Sequence, residues 1–477
     1  MADAVVVGSG PNGLTAAVVL AEAGLAVTVL EAADTIGGGT RSSELTLPGL
    51  LHDHCSAVHP MAVGSPGMRG LGLERHGLEW RLPEVDLAHP LDGGRAVAMH
   101  RSAELTAAGL GADGPAWRRL FEPLAERFDA LAEDLLGPPL RLPAHPAALA
   151  GFAARAALPA AAVARRWRTP QARALFAGVA AHALRPLGSP GSSAIGLMLV
   201  AAGHRRGWPV ARGGSRSITA ALAARLAELG GTVETGVRVT SLAQLPPDAL
   251  VMLDVAPQDA LAICGDRLPA RVARAYARWR YGPGAFKVDL AVEGGIPWRD
   301  EVCRRAGTVH LGGTIEEIAR TERMIAAGRL PERPFVLIGQ QYLADPGRSA
   351  GTTHPVWAYA HVPRGWQGDA TEAVLDQIER FAPGTRDRVV GRAATDTRAM
   401  ARHNPNYVAG DILTGANTPR QLVARPRLAL DPYSTGIPGV YLCSAATPPG
   451  AGVHGMCGVG AARSALRRPT RNALKRR

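Results

Sequence analysis

The stretch Ala4-Val5-Val6-Val7-Gly8-Ser9-Gly10-Pro11-Asn12-Gly13, followed by an apolar run from Leu14 to Ala23 and by Val27-Thr28-Val29-Leu30-Glu31, decides the fold. Three valines in a row read as a buried strand. Gly8 permits a tight turn out of that strand, Gly10 lets backbone approach a pyrophosphate, and Gly13 lets the next helix pack close to the strand. The helix then points its free amides and positive dipole end at the phosphates. Glu31 ends the second strand about 20 residues on, where an acid binds a ribose 2′-hydroxyl and disfavours a 2′-phosphate. Strand, glycines, helix and acid occur in the order that dinucleotide binding needs. A glycine-rich strand-to-helix turn without a ligand is the plainer alternative.

A second glycine run, Gly37-Gly38-Gly39-Thr40-Arg41, follows the acid within one short loop. It offers several amides and one guanidinium to a diphosphate, a setting for charge-assisted hydrogen bonds. Taken alone it also reads as a flexible surface loop. The far end of the chain supplies a strand over Gly439 to Cys443, then Pro448-Pro449-Gly450-Ala451-Gly452-Val453-His454-Gly455-Met456, and a helix over Gly455 to Arg467. A helix N-terminus at that point can stabilise negative charge at the N1–C2=O edge of a flavin. Together the two ends predict FAD. The expected cofactor-binding set is Gly8, Gly10, Pro11, Asn12, Gly13, Glu31, Gly38, Gly39, Thr40, Arg41, Ala445, Gly452, Val453, Gly455 and Met456. Neither Gly213-Gly214 nor Gly312-Gly313 repeats the fingerprint, so a built-in NAD(P)H domain is not expected.

These residues resemble the phytoene-desaturase-like branch of the flavin amine oxidase superfamily, nearly end to end. The resemblance runs through Asp53-His54-Cys55-Ser56-Ala57-Val58-His59-Pro60, Pro209 to Ser215, Tyr281 to Asp289, Thr308 to Thr314, Asn404 to Tyr407, Gly410-Asp411 and the C-terminal turn. It implies an α/β fold, a Rossmann-type FAD-binding domain interleaved with an α+β substrate domain. The FAD-binding segments would be residues 1–60, 205–270 and 425–477, and the substrate segments 61–204 and 271–424. It also implies that the backbone of Val239 meets the adenine, and that Lys287 binds a water near flavin N5. The chain departs from the pattern in places. Ser241 to Pro247 bridges directly to Leu250-Asp254 without a longer hairpin, Ala451 stands where a third glycine is common, and Val459-Gly460 replace bulkier polar residues, which would clear side chains from near the substrate.

Composition fits an enzyme with large cores. The chain has 477 residues, about three domain-sized units by length, and 47% hydrophobic content. Five scattered cysteines without metal-ligand spacing suggest a reduced, cytoplasmic protein, and the chain starts directly in the first strand without a basic leader. No uncharged apolar run reaches 18 residues; Pro146 to Ala164 is interrupted by Arg155 and Pro159. The net charge of +12 is compatible with an anionic membrane surface, an acidic substrate or an arginine-rich proteome, and the segment from Arg467 to Arg477 is basic. No nucleic-acid module is recognisable. Ser215 to Leu229 reads as an amphipathic helix ended by Gly230-Gly231, and Thr232 to Leu242 as strands.

For chemistry the catalytic candidates are Lys287 and His454. Lys287 either faces the flavin or is a surface lysine on a strand edge; His454, in the flavin-side turn, would line the substrate cavity. His52, His54 and His59 lack an acidic or cysteine partner set, so cavity lining or core packing is favoured over metal. His310 and His361 read as satisfied structural histidines. The function expected is an FAD-dependent oxidoreductase, a dehydrogenase or desaturase passing hydride from an apolar or polyketide/terpenoid-like metabolite to flavin N5. O2 or a quinone would take up the electrons. The alternatives are an amine or alcohol oxidase using O2, and a flavin-binding interaction protein with little turnover. An aromatic content of 5% gives no evident aromatic cage for an amine.

Overall fold

A computed structural model describes residues 2–467, so the basic segment beyond Arg467 lies outside the described residues. The valine run forms the middle of a five-stranded sheet in the order Val440–Leu442, Leu250–Leu253, Ala4–Val7, Val27–Leu30, Thr232–Glu234. All its pairings are parallel, with Val5 opposite Val251 on one side and Thr28 on the other. Its central strands are buried on both faces, hence the unbroken apolar runs in place of alternation. Because the neighbours of Ala4–Val7 depart in opposite directions along the sheet, a crevice opens beyond the carboxyl ends of the strands, where such sheets bind ligands.

The helix Pro11–Glu22 starts at that crevice, with Gly10 as N-cap and Pro11 at its first position. It is flanked by the helices Arg216–Glu228 and Met456–Leu466. Two of these approaches admit no side chain. A Cβ on Gly13 would lie 2.1 Å from the Gly8 carbonyl, and one on Gly458 would lie 2.0 Å from the Asn12 carbonyl. Glycine at 458 thus lets the last helix close onto the first.

A seven-stranded, mostly antiparallel sheet makes the second layer. Its order is Val389–Thr395, Gly284–Glu293, Thr353–Val362, Val336–Gly339, Ala306–Leu311, Val85–Pro90, Ala96–Met99. Strand alternation gives it two unlike faces. Phe286, Val288, Leu290, Val309, Val336, Ile338 and Ala358 form an apolar face packed on Val374, Leu375, Ile378 and Phe381 of the helix Thr371–Phe381. The opposite face carries Lys287, Tyr359, Leu337 and His310 in one row, since these residues are direct partners across the strands. Asp289, Trp357, Gly339 and Thr308 form the next row. Leu337 and Tyr359 on this face pack with Phe176 and Leu197, which lie on the helices Pro170–Ala180 and Ser193–Arg206.

Several local expectations change. Thr232 to Leu242 does not continue as strand: pairing stops at Glu234, and Gly236, with φ +73°, turns the chain away. Ala62, Met68, Leu71, Leu73 and Leu78, expected on the substrate side, pack with Leu14, Val27 and Met252 around the five-stranded sheet. Val272, Tyr276 and Trp279 likewise join Val5 and Val251. Both segments carry apolar residues at helix-like spacing, which shows burial but not against which sheet.

Candidate functional site

One cavity of about 980 Å³ runs from the crevice of the parallel sheet to the polar face of the antiparallel one. At its first end lie Gly8 to Asn12, Glu31, Gly38 to Arg41, and the extended backbone of Val237 to Thr240. Ala445 and Ala451 to His454 line its middle. Thr308, Leu337, Trp357 and Tyr359 form the floor of the far end, opposite a helical wall that includes Leu136, Phe152, Ile195 and Met198. The geometry therefore brings together Gly8, Gly10, Pro11, Asn12, Glu31, Gly38, Gly39, Thr40, Arg41, Val239, Ala445, Gly452, Val453 and His454. Gly13, Gly455, Met456 and Lys287 stand outside the lining.

The first three of those excluded residues support it from behind. Gly13 donates its amide to Asp254 Oδ2 at 2.9 Å. Gly455 caps the last helix with φ +66°, pressed against Thr15. The Met456 amide donates to His454 Nδ1 at 3.1 Å. That bond leaves the imidazole proton on Nε2, so Nδ1 is not available as a base. Burial lowers the His454 pKa to about 4, against the carbonyls of Ala451 and Gly450, and the ring is neutral. Through the Met456 bond it braces the turn while lining the cavity.

Lys287 is not a surface residue, and it stands behind the cavity lining. It is 1% exposed, and its strand is paired on both sides rather than at an edge. Its ammonium pairs with Asp289 Oδ2, and His52 Nδ1 lies 3.2 Å from Asp289 Oδ1. Burial pushes the Asp289 carboxyl up, but Lys287 and His52 overcome it and hold the carboxyl below the usual range. His54 stacks on His403, with ring centroids 4.2 Å apart, and His59 Nε2 donates to Ser215 Oγ at 2.8 Å, whose own hydroxyl donates to the Ser56 carbonyl. His361 Nδ1 pairs with Glu322 at 2.7 Å, whereas His310 is fully buried with neither ring nitrogen bonded, so it is not the satisfied histidine expected. Val459 and Gly460 do not open the cavity either. Val459 packs on Gly67 and Gly460 on the Tyr433 hydroxyl, away from the lining.

The acid at the crevice is tightly held. Glu31 Oε2 accepts from the Ser9 amide at 2.9 Å, and Oε1 accepts from the Ala33 amide at 2.9 Å and from Arg41 at 3.1 Å. Arg41 also donates to the carbonyls of Thr35 and His403. It lines the cavity, but its guanidinium orients Glu31 instead of standing free beside the glycine loop. Sequence reading passed over Asp254 as a site residue. A Cβ on Gly10 would lie 2.7 Å from Asp254 Oδ2, so this carboxyl sits directly beneath the loop. Burial raises its pKa to about 7, helped by Glu31 and opposed by the Gly13 amide. An apolar strand ending in an acid beside the fingerprint was the available signal.

The lining suits FAD. The glycines leave a cradle that side chains would fill, the first helix has no side-chain cap over its N-terminus, and buried Asn12 Oδ1 lacks a partner. Residues Gly8 to Asn12 and Gly38 to Thr40 would hold the diphosphate, Glu31 a ribose, Val237 to Thr240 the adenine side, and the turn at Gly452 the ring system.

Two predictions follow from these charges. Asp254 prefers its proton, and a diphosphate above it strengthens that preference, so FAD affinity should fall as pH rises through about 7. Fluorescence titration from pH 6 to 8 should show that fall in the wild type and a flat profile in Asp254→Asn; parallel profiles would refute the role given to Asp254. Lys287→Met leaves the buried Asp289 carboxylate without its ammonium, facing only His52, and should cost about 3–5 kcal/mol in urea denaturation, while a Lys287→Met/Asp289→Leu double variant recovers most of it. Equal stability of wild type and Lys287→Met would show that the pair is not formed.

Comparison with known proteins agrees with this geometry. Residues 6–68 match the NAD(P)-binding Rossmann-like domain. The chain is 28% identical to hydroxyneurosporene desaturase of Cereibacter sphaeroides, with 94% of each chain aligned. An oxidoreductase from Methanosarcina mazei shares the fold with a TM-score of 0.61 and 14% identity, covering 98% of this chain and 100% of that one. Putrescine oxidase bound to putrescine shares it with a TM-score of 0.60 and 17% identity over 98% and 99%. With a desaturase aligned along nearly its whole length and a cavity that fits the cofactor, the chain is an FAD-dependent oxidoreductase that resembles the phytoene-desaturase-like enzymes.

Proposed function

We propose that the substrate is a neutral, largely apolar metabolite of terpenoid or polyketide type carrying one polar oxygen, from which a hydride and a proton are removed. One observation carries this reading: the acidic residues lining the cavity, Glu31, Asp254 and Asp259, all lie at its nucleotide end. An ammonium substrate would find no counter-charge between the floor and the helical wall. That wall, with Leu136, Phe152, Ile195 and Met198, instead rewards apolar area at roughly 25 cal/mol per Å² buried. On the floor, Thr308 Oγ1 and Trp357 Nε1 lack protein partners, which suits a hydroxyl or carbonyl oxygen.

FAD, when bound, supplies the hydride acceptor. The chain orients the substrate between floor and wall, excludes water and holds the turn at Gly452 in place through His454. Residues 1–60, 205–270 and 425–467 form the cofactor side of this arrangement in our reading, extended by Ala62 to Leu78 and by Val272 to Trp279. Reoxidation is assigned to O2 or a quinone.

Access from a membrane surface belongs to the same reading. Among the described residues no helix is long and apolar enough to cross a membrane. Leu142 is 95% and Leu430 87% exposed, each in a loop. Leu136 and Leu422, a few residues from these loops in sequence, line the cavity. Exposed leucines with arginines close in sequence suit an anionic bilayer, from which a lipophilic substrate would enter.

Two measurements test this function. Denatured protein should release FAD, and anaerobic mixing should show neutral terpenoid alcohols or ketones bleaching the bound flavin while alkylamines leave it oxidised. Bleaching by amines alone would overturn the substrate assignment. Co-sedimentation with anionic vesicles at low salt should be strong for the wild type and weak for Leu142→Asp/Leu430→Asp; a wild type that stays in the supernatant with anionic and neutral vesicles alike would remove the membrane from the account.

A further inference from the structure

Arg425 is 2% exposed and lines the cavity beside the Pro449–His454 turn. Its Nη1 donates to the Pro449 carbonyl at 3.3 Å, while Nε and Nη2 have no hydrogen-bond partner. The guanidinium lies against the turn backbone, since a Cβ on Gly450 would be 1.6 Å from Nη1. Its carbon stands 5.9 Å from the centre of the Trp279 ring. Among the described residues no carboxylate lies within ion-pairing distance of it.

The surrounding titratable groups do not neutralise this cation. Asp411 is the acid whose field reaches it, but that carboxylate is spent on the Gly282 amide at 2.7 Å and the Leu413 amide at 2.8 Å. Burial pushes the Cys457 thiol up to about 11, and the thiol donates to the carbonyls of Thr447 and Gly450. His454 is neutral, with a pKa lowered to about 4. A buried, uncompensated cation is costly to maintain unless an anion arrives to meet it. The helix Met456–Leu466 directs its positive end to the same turn.

We propose that Arg425 is the counter-charge for the negative charge that FAD takes up on reduction, at the end of the cavity closed by the Pro449–His454 turn. The proposal rests on the assignment of FAD to this cavity. Arg425 adds a full charge where the helix adds a partial one, in a site with little water to screen it. It therefore binds the reduced cofactor more tightly than the oxidised one and raises the reduction potential. A dehydrogenase that draws hydride from an unactivated metabolite gains driving force from such a shift.

The test is the midpoint potential of the FAD-loaded protein, by equilibration with reference dyes, together with the dissociation constant of oxidised FAD. Arg425→Met should retain oxidised FAD with little change, yet lose at least tenfold of the preference for the reduced form, read as a fall of about 30 mV for each tenfold. Arg425→Lys should recover at least half of that fall. Should the apolar variant fail to fold, Arg425→Gln, which can still donate to Pro449 without the charge, carries the same expectation. An unchanged potential in a folded, FAD-bound Arg425→Met or Arg425→Gln overturns the proposal, as does Arg425→Lys matching the neutral variants. A wild-type protein that takes up no FAD refutes the cofactor assignment itself and is distinguishable from both results.

Discussion

The hydrogen bond from the Gly13 amide to Asp254 Oδ2 joins residues 241 positions apart and fixes where the nucleotide end of the cavity can be. It draws the end of the Leu250–Leu253 strand under the first helix, so that Gly10 and Gly13 face the Asp254 carboxyl while Gly8 lies against the Asp254 backbone. The third partner is Gly458, whose missing side chain lets the last helix rest on Asn12. Beginning, middle and end of the chain converge on a few ångströms of backbone. The two halves of the cofactor site, coded some 430 residues apart, are adjacent only because this contact closes.

The second layer works through a different constraint. A strand must send alternate side chains to opposite faces, and here the titratable and hydroxylated residues share one face. Lys287, Asp289, Thr308, His310, Tyr359 and His361 lie on the side of the cavity, while the other face is apolar throughout its core. Burying such groups costs free energy unless each finds a partner, and some do: Lys287 with Asp289, His361 with Glu322. Thr308, His310 and Trp357 Nε1 do not, and these unmet groups surround or underlie the chamber assigned to the substrate. The sheet is thus a rigid support with a polar upper surface, against which a largely apolar molecule can be oriented.

How much of this was legible depends on whether the chemistry was local. The glycine fingerprint, Glu31 and the C-terminal turn could be read because each is a short run of sequence whose spacing is itself the signal, although the groups the glycines make room for, such as Asp254 and Thr15, lie far away in the chain. Lys287 could not. Its alternating strand places it on a face, but only the register with Tyr359 and the approach of His52 from a distant hairpin show that it is buried and paired. Arg425 carried no periodic signal at all, and its isolation is a property of what fails to surround it. Asp254 was visible as the end of a strand, yet its raised pKa arises from burial beneath the glycine loop and from the nearby charge of Glu31, against the opposing Gly13 amide. Strand propensity in Thr232 to Leu242 was overridden at Gly236, where the chain leaves the sheet to line the cavity instead of pairing.

The central claim is that both ends of the chain hold one cofactor molecule in one cavity. Amide hydrogen exchange with and without saturating FAD tests it most directly, because it reads each backbone segment separately. The account predicts that protection rises together at Gly8 to Gly13, at Gly37 to Arg41, at Val237 to Thr240 and at Gly450 to His454. Protection confined to the N-terminal fingerprint, with the Gly450 to His454 turn unchanged, would contradict it.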